Sequence, residues 1–487
     1  MTGTPSNARD TSPPPGPQEG GGQERQLTAG PAVHLVKWIA VFMSVFQLYT
    51  GFFGELSGAK QLSIHLSFAM LLCYLNYPLV RKTSQSKIPV YDFALALLAA
   101  AASFYVYVNY EHVAYSVGNP ALYDLIIGGA LIVFILEATR RSISPILPVL
   151  TLIFLFYAYI GPHIPGTLAH RGFGISRIID HVFMSGEGLW GVPLRVSATF
   201  VFLFVLFGAF LEKMGAGDYL IDLSFASMGR FRGGPAKAAV VASGAMGSIS
   251  GSSIANTVTT GSMTIPLMKK VGFKPHTAAA VEVAASTNGQ LMPPIMGAAA
   301  FIMAELLGIS YYEVVTAAII PALLSYTAIF SIVHLEAVKE NIRGLTKEET
   351  PALGKTFVGG LYYLIPLAAL LYFLLIEFWT PTTSATWSIL VALPVIAGNN
   401  IFRHFAAFPK RKGIRQETRD LAYEAYTHKQ KNFFIYRTKD EILGALESGA
   451  RNMAGIAAAC ACCGIIIGVI TLTGLGLMMA MLVSAAA

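Results

Sequence analysis

Between Ala242 and Thr264 the chain reads ASGAMGSISGSSIANTVTTGSMT, in which 17 of 23 residues are Gly, Ala, Ser or Thr. Ser248, Ser250, Ser252, Ser253, Asn256 and Thr257 put six neutral side-chain oxygens within ten residues. Such oxygens, with the carbonyls of a broken helix, are the donors a dehydrated Na+ takes, and a free helix N-terminus favours an anionic group. Gly247 and Gly251 let the backbone turn. A second interruption follows, Ser286-Thr287-Asn288-Gly289-Gln290-Leu291-Met292-Pro293-Pro294. Asn288-Gly289 is a turn signal, and Pro293-Pro294 removes two amide donors, which frees upstream carbonyls. Small residues that merely permit tight helix packing account for Ala298 to Ala300 but poorly for this pairing.

Glu282 stands in an Ala-rich apolar stretch one turn before the second interruption. A carboxylate at that depth is costly and is read as functional by default. Three roles are open: receiving a proton, holding a coupling cation, or pinning the hairpin by accepting backbone N–H bonds. A local pair with Lys274 or His276 is the plainer alternative. No Ser/His/Asp arrangement or metal-ligand spacing emerges elsewhere, so the chain reads as a non-enzyme without an organic cofactor. Cys460, Cys462 and Cys463 lack CxxC spacing and nearby His, and read as small packing residues. Gly354-Lys355-Thr356 mimics the end of a phosphate loop, but Glu349 stands where a Gly is required.

The elements that carry these residues are membrane helices. Hydrophobic residues make up 54% of the 487 and charged residues only 13%, against about 25% charged in soluble domains. Residues 1–30 are polar, rich in Pro and Gly, and read as a disordered tail. Apolar runs follow at about 33–53, 62–80, 89–108, 121–139, 144–163 and 190–213. A hairpin is expected at 238–268 and a broken helix at 275–308, with further runs at about 315–338, 357–378, 384–402 and 452–480. The segment 164–189 reads as an outer amphipathic element and 403–450 as a charged inner one. With the N-terminus inside and the hairpin returning to its face of entry, only Lys60, Arg171, Arg177 and Arg195 of the 34 basic residues fall outside.

The two motifs, GSISGSSIANTVTTGSMTIPLMKKVGF and AAAVEVAASTNGQLMPPIMGAAAFIMAE, resemble the large membrane subunit of tripartite ATP-independent periplasmic (TRAP) transporters. The chain is most similar to the fused permease of the TAXI branch, in which a four-helix small subunit precedes the large one. The resemblance implies an all-α polytopic elevator-type transporter: a four-helix scaffold portion at 31–142, a connector and outer segment at 143–189, and a first large-subunit repeat at 190–402. It further implies Na+-driven uptake of small organic carboxylates through the cytoplasmic membrane, fed by an extracytoplasmic substrate-binding protein. By position, Ser250, Gly251, Ser252, Ser253, Asn256 and Thr257, with Ser286, Thr287, Asn288, Gly289, Pro293 and Pro294, match the family's first cation-binding half and part of its substrate site.

The family's large subunit contains two inverted repeats, and here only 451–487 echoes the start of the second. The expectation is therefore a chain that does not transport alone: either a C-terminally truncated fragment or split product, or a chain whose missing repeat a second polypeptide supplies. Two rival readings are a divalent-anion/Na+ symporter-like carrier without a binding protein, and a non-transporting scaffold subunit.

Overall fold

The structure, a computed structural model, describes residues 24–25, 30–79, 88–406 and 416–486. Most of the expected tail, the loop bearing Arg81, Lys82 and Lys87, and the basic run Lys410-Arg411-Lys412 with Arg415 lie outside the described residues. Among the described residues every regular element is helical, and nine helices are long and apolar enough to cross a membrane. The protein is an all-α polytopic membrane protein.

The first portion comprises α1 (Pro31–Phe53), α2 (Ala59–Asn76), α3 (Val90–Val108) and α4 (Leu122–Ser142). Helix α2 is long enough to cross but too polar to count among the nine. Its polar side chains are instead turned inward and, Asn76 excepted, largely matched. Ser63 donates to the Ser103 carbonyl at 2.6 Å, Gln61 to the Ala198 carbonyl at 2.8 Å, and His65 bridges Gln47 (2.7 Å) and Ser197 (3.0 Å). Buried polar groups are tolerated only when so paired. These bonds fasten the portion to α6 (Val192–Met214), where the helix is interrupted at Thr199 and the Ala198 carbonyl becomes accessible.

Between them lie α5 (Ile146–Ile160) and short turns at Ile175–Ile179 and Asp180–Met184. After α6 come α7 (Ala216–Met228), α8 (Gly234–Ser250), α9 (Ser253–Lys270), α10 (Pro275–Asn288), α11 (Ala298–Leu307) and α12 (Tyr311–Lys339). The chain continues through α13 (Leu353–Ile376), α14 (Pro381–Ala406), α15 (Gln416–Thr473) and α16 (Leu475–Ala486). Helix α15 is continuous through residue 450, where composition alone placed a boundary.

The core forms where α15 crosses α6. Ala445, Ala450, Ala454, Ala457, Ala458 and Ala461 are buried on α15, opposite Phe202, Phe207 and Phe210 of α6. Small residues let the helices approach closely: a methyl group added at Gly449 would stand 2.6 Å from the Leu206 side chain. The cysteines belong to this packing, with Cys73 donating to the Ala454 carbonyl at 3.3 Å and Cys462 beside Thr151 at 3.0 Å.

Candidate functional site

Helices α8 and α9 form a helical hairpin whose turn is Gly251-Ser252. Gly251 adopts φ 60° and ends α8, a conformation that glycine takes without strain. The Ser252 side chain then caps α9 by accepting the Ala255 N–H at 3.3 Å. Neither arm is among the nine apolar spans: α8 has 17 residues, and the 18 of α9 are rich in Thr and Ser. Helix α10 breaks in the same neighbourhood, through a 3-10 turn at Gly289–Leu291 and irregular backbone up to Gly297.

Hairpin and break meet backbone to backbone. A methyl group at Gly247 would lie 2.3 Å from the Gly289 Cα, and one at Gly251 would lie 2.2 Å from the Met296 carbonyl oxygen. Only glycine fits either place. Asn256 is fully buried between the two elements; its amide donates to the Ser243 carbonyl at 2.8 Å, and its Oδ1 has no protein partner. The Ser253 hydroxyl accepts from Gln290 at 2.8 Å, which ties the hairpin tip to the break. Asn288 donates to the Ser325 hydroxyl of α12 at 2.5 Å. Thr257 and Thr287 donate to carbonyls of their own helices, those of Ser253 (2.8 Å) and Val283 (2.7 Å).

The structure thus gathers the sequence-predicted residues into one neighbourhood but divides their roles. Ser250, Gly251, Ser252 and Ser253 form the tip, against Gly289 and Gln290. Ser286 is drawn away from them, because its hydroxyl donates to Glu282 at 3.0 Å. The carbonyls that the prolines release also find donors. Gly289 O accepts the Met292 N–H at 3.1 Å and Gln290 O the Gly297 N–H at 2.8 Å. The carbonyls of Pro294 and Ile295 accept the buried Tyr311 hydroxyl at 2.9 and 2.6 Å. Tyr311 also stacks on Phe301 at 4.2 Å, so the break is held from α12 and α11 together.

Glu282 is wholly buried and faces the hairpin. Its Oε1 accepts from Ser243 of α8 (3.0 Å), from Ser286 (3.0 Å) and from Thr260 of α9; its Oε2 accepts from Thr264 at 2.5 Å. The expected alternatives are corrected on two points. Glu282 grips the hairpin through hydroxyls, not backbone N–H groups, and Lys274 is not its partner, being paired with Glu340 at 2.8 Å. The Glu340 carboxyl, at the helix end, is held below its ordinary range by that ammonium. Ser243, Thr260 and Thr264 went unnoticed in the sequence. Their signal was there: Asn256, Thr260 and Thr264 recur every four residues, which places them on one face of α9.

A cleft of about 460 Å³ lies elsewhere, lined by Lys213, Asp218, Asp222, Lys355 and Arg437 among others. None of the hairpin residues lines it, and its charges are those of a solvated end of the bundle.

Comparison with known proteins fits this geometry to a family. The family described as tripartite ATP-independent periplasmic transporter, DctM component, matches residues 130–487, more than half of the chain. The chain belongs to this TRAP transporter family. It is 26% identical over 296 residues to the C4-dicarboxylate TRAP transporter large permease protein DctM of Vibrio cholerae, covering 58% of this chain and 63% of that protein. It is 24% identical over 161 residues to the 2,3-diketo-L-gulonate TRAP transporter large permease protein YiaN of Escherichia coli, covering 33% and 37%. An uncharacterized protein of Sinorhizobium fredii, y4mL, is 35% identical over 121 residues, covering 25% and 28%. The chain therefore spans less than two thirds of the length of these relatives. The Vibrio and Escherichia relatives are both TRAP transporter large permease proteins, and the TRAP match stops short of α1 to α3.

Proposed function

We propose that this chain is the membrane permease component of a Na+-coupled secondary transporter that takes up small organic carboxylates from an extracytoplasmic substrate-binding protein. The observation that carries the reading is the backbone contact of Gly247 with Gly289, by which a polar helical hairpin and a broken helix share one packed site within a TRAP family member. Lipid tolerates irregular backbone only where protein or water covers it, and in transporters such breaks hold ions and substrates. The cation set we favour is the tip, with Ser250, Ser252 and Ser253 hydroxyls and the carbonyls around Gly251. The buried but unmatched Oδ1 of Asn256 stands behind it.

The N-terminus is cytoplasmic in this reading, the protein sits in the inner membrane, and α1 to α4 are a small-subunit-like scaffold of the fused, TAXI-type kind. The hairpin with α10 and α11 belongs to the part that moves in an elevator cycle. The family match favours a partner binding protein over a carrier that works without one.

The test is thiol labelling of Ser253→Cys in membranes, against wild type as control for the native cysteines. Na+, but not K+, is expected to slow labelling, and a carboxylate substrate to slow it further. Labelling indifferent to both ions and substrates would leave a scaffold role as the better account.

A further inference from the structure

Two residues that precede the first helix, Glu24 and Arg25, are docked on the bundle, and both reach positions far away in the chain. The Arg25 side chain is excluded from solvent. Its backbone N–H donates to the Asn76 carbonyl at 2.7 Å, and its guanidinium donates to the Leu75 carbonyl at 3.1 Å and to Asp92 Oδ2 at 2.6 Å. Glu24 meets Arg451 of α15 at 3.1 Å. The dipeptide thus touches the end of α2, the start of α3 and α15 together.

Backbone chemistry explains why an arginine suits this place. The last carbonyls of a helix have no partner within it and carry the negative end of its dipole. Beyond and at the end of α2, arginines take these oxygens in turn. Arg25 takes those of Leu75 and Asn76, Arg141 approaches that of Tyr77 at 3.5 Å, and Arg140 takes that of Leu79 at 3.2 Å. Asp92, in the first turn of α3, supplies the carboxylate that Arg25 and Arg141 share. Arg141 belongs to α4, within the four-helix portion, whereas Arg25 lies in no helix. One of the two cations that balance a wholly buried carboxylate therefore comes from a segment that can leave without unwinding any helix.

Behind the dipeptide runs the seam between α2 and α15. Cys73 of α2 donates to the Ala454 carbonyl of α15 at 3.3 Å, and the thiol is fully buried. Asn76 and Arg451, the residues that Arg25 and Glu24 hold, each lie three residues from that contact, on the two antiparallel helices. The docked pair sits one turn nearer the end of the bundle than Cys73. Helix α15 lies within the portion that matches the TRAP family, and α2 precedes it.

We infer that Glu24-Arg25 is a strap that closes the seam between the four-helix portion and α15, and that its release opens a path to Cys73. Arg25 is the hold, because a buried ion pair is costly to break by removing one partner. Glu24 sets the direction, since its partly exposed pair with Arg451 is worth little by itself. The strap stands on packing alone and not on the transport reading, so it is independent of which ion or substrate the hairpin handles.

The experiment is N-ethylmaleimide modification of the full-length chain in lipid nanodiscs, with each native cysteine followed separately by mass spectrometry. Arg25→Ala should speed modification of Cys73 by about tenfold or more, because an unpaired buried charge shifts local opening by at least that factor. Cys462, buried beside Thr151 farther along α15, should keep its wild-type rate. An unchanged Cys73 in R25A overturns the strap, since the dipeptide then covers nothing. An equal acceleration of Cys462 also overturns it, since the whole bundle has then loosened. Charge reversal decides the matter should R25A fail to fold. Arg451→Glu alone loses Glu447 (3.0 Å) as well as Glu24, so E24R/R451E is compared with R451E. The double variant should slow Cys73 by about two- to fivefold relative to R451E. A double variant as fast as R451E contradicts the strap.

Discussion

Of the buried carboxyl groups among the described residues, Asp92 and Glu282 are handled in opposite ways. Asp92, at the start of α3, is bracketed by Arg25 and Arg141, each at 2.6 Å, with all three side chains excluded from solvent. Arg141 also meets Glu137 at 2.7 Å, and Arg25 donates to the Leu75 carbonyl at 3.1 Å. Glu282 has hydroxyls alone. Removing one partner of a buried ion pair such as that at Asp92 leaves the other charge uncompensated. Around Asp92 the scaffold portion supplies charged partners; around Glu282 the hairpin portion supplies neutral ones.

The largest expected effect tests the scaffold side. Asp92→Asn leaves two buried guanidinium groups around a neutral amide and should cost about 3–5 kcal/mol of stability, read by thermal unfolding in detergent. If it costs no more than Glu282→Gln, the contrast drawn here fails. Next comes Gly247→Ala, whose methyl group would press on the Gly289 backbone at 2.3 Å. A loss of about 1–3 kcal/mol, with faster labelling of a Ser253→Cys tip, is the expected outcome. Glu282→Gln should be milder, about 1 kcal/mol, because the cage accepts a neutral group.

The smallest effect belongs to the exposed pair of Lys274 and Glu340. The folded carboxyl of Glu340 is depressed from its ordinary 4.5, with the hydrogen bond from Lys274 as the main cause. Its contribution is therefore present above that value and lost as pH falls through the lower, folded one. Glu340→Gln should leave stability at neutral pH unchanged within error, and should slightly flatten the acid limb of the pH–stability curve.

How much of this was legible in the sequence follows from the physics of each element. Apolar runs of about twenty residues announce membrane helices through composition alone, which is why the fold class could be read. Gly251 and the Asn288-Gly289 pair could be read as turn chemistry, because glycine's backbone freedom is a local property; Gly247, expected to turn the chain, lies inside α8 and instead admits the Gly289 backbone. The Glu282 cage could not be assembled that way, since its partners come from three helices, at positions 243, 260, 264 and 286. Asp92 was passed over for the same reason: its two arginines are 67 and 49 residues away in the chain. The carbonyls freed by Pro293 and Pro294 were foreseen, but not their recapture by the Met292 and Gly297 N–H groups, which depends on how the break folds back. Helix α2 was counted among apolar runs although its polar face needed α6 to satisfy it.

The claim on which the rest depends is that α8 and α9 enter and leave the bilayer by one face. Arg232 and Lys270 flank the hairpin and are both exposed. Arg232→Cys and Lys270→Cys, each labelled with a membrane-impermeant thiol reagent in right-side-out and inverted vesicles, measure this directly. Both cysteines reacting from the same, cytoplasmic side is the result expected. Reaction from opposite sides would turn the hairpin into a full crossing, remove the polar tip from the membrane interior and reverse every helix after it.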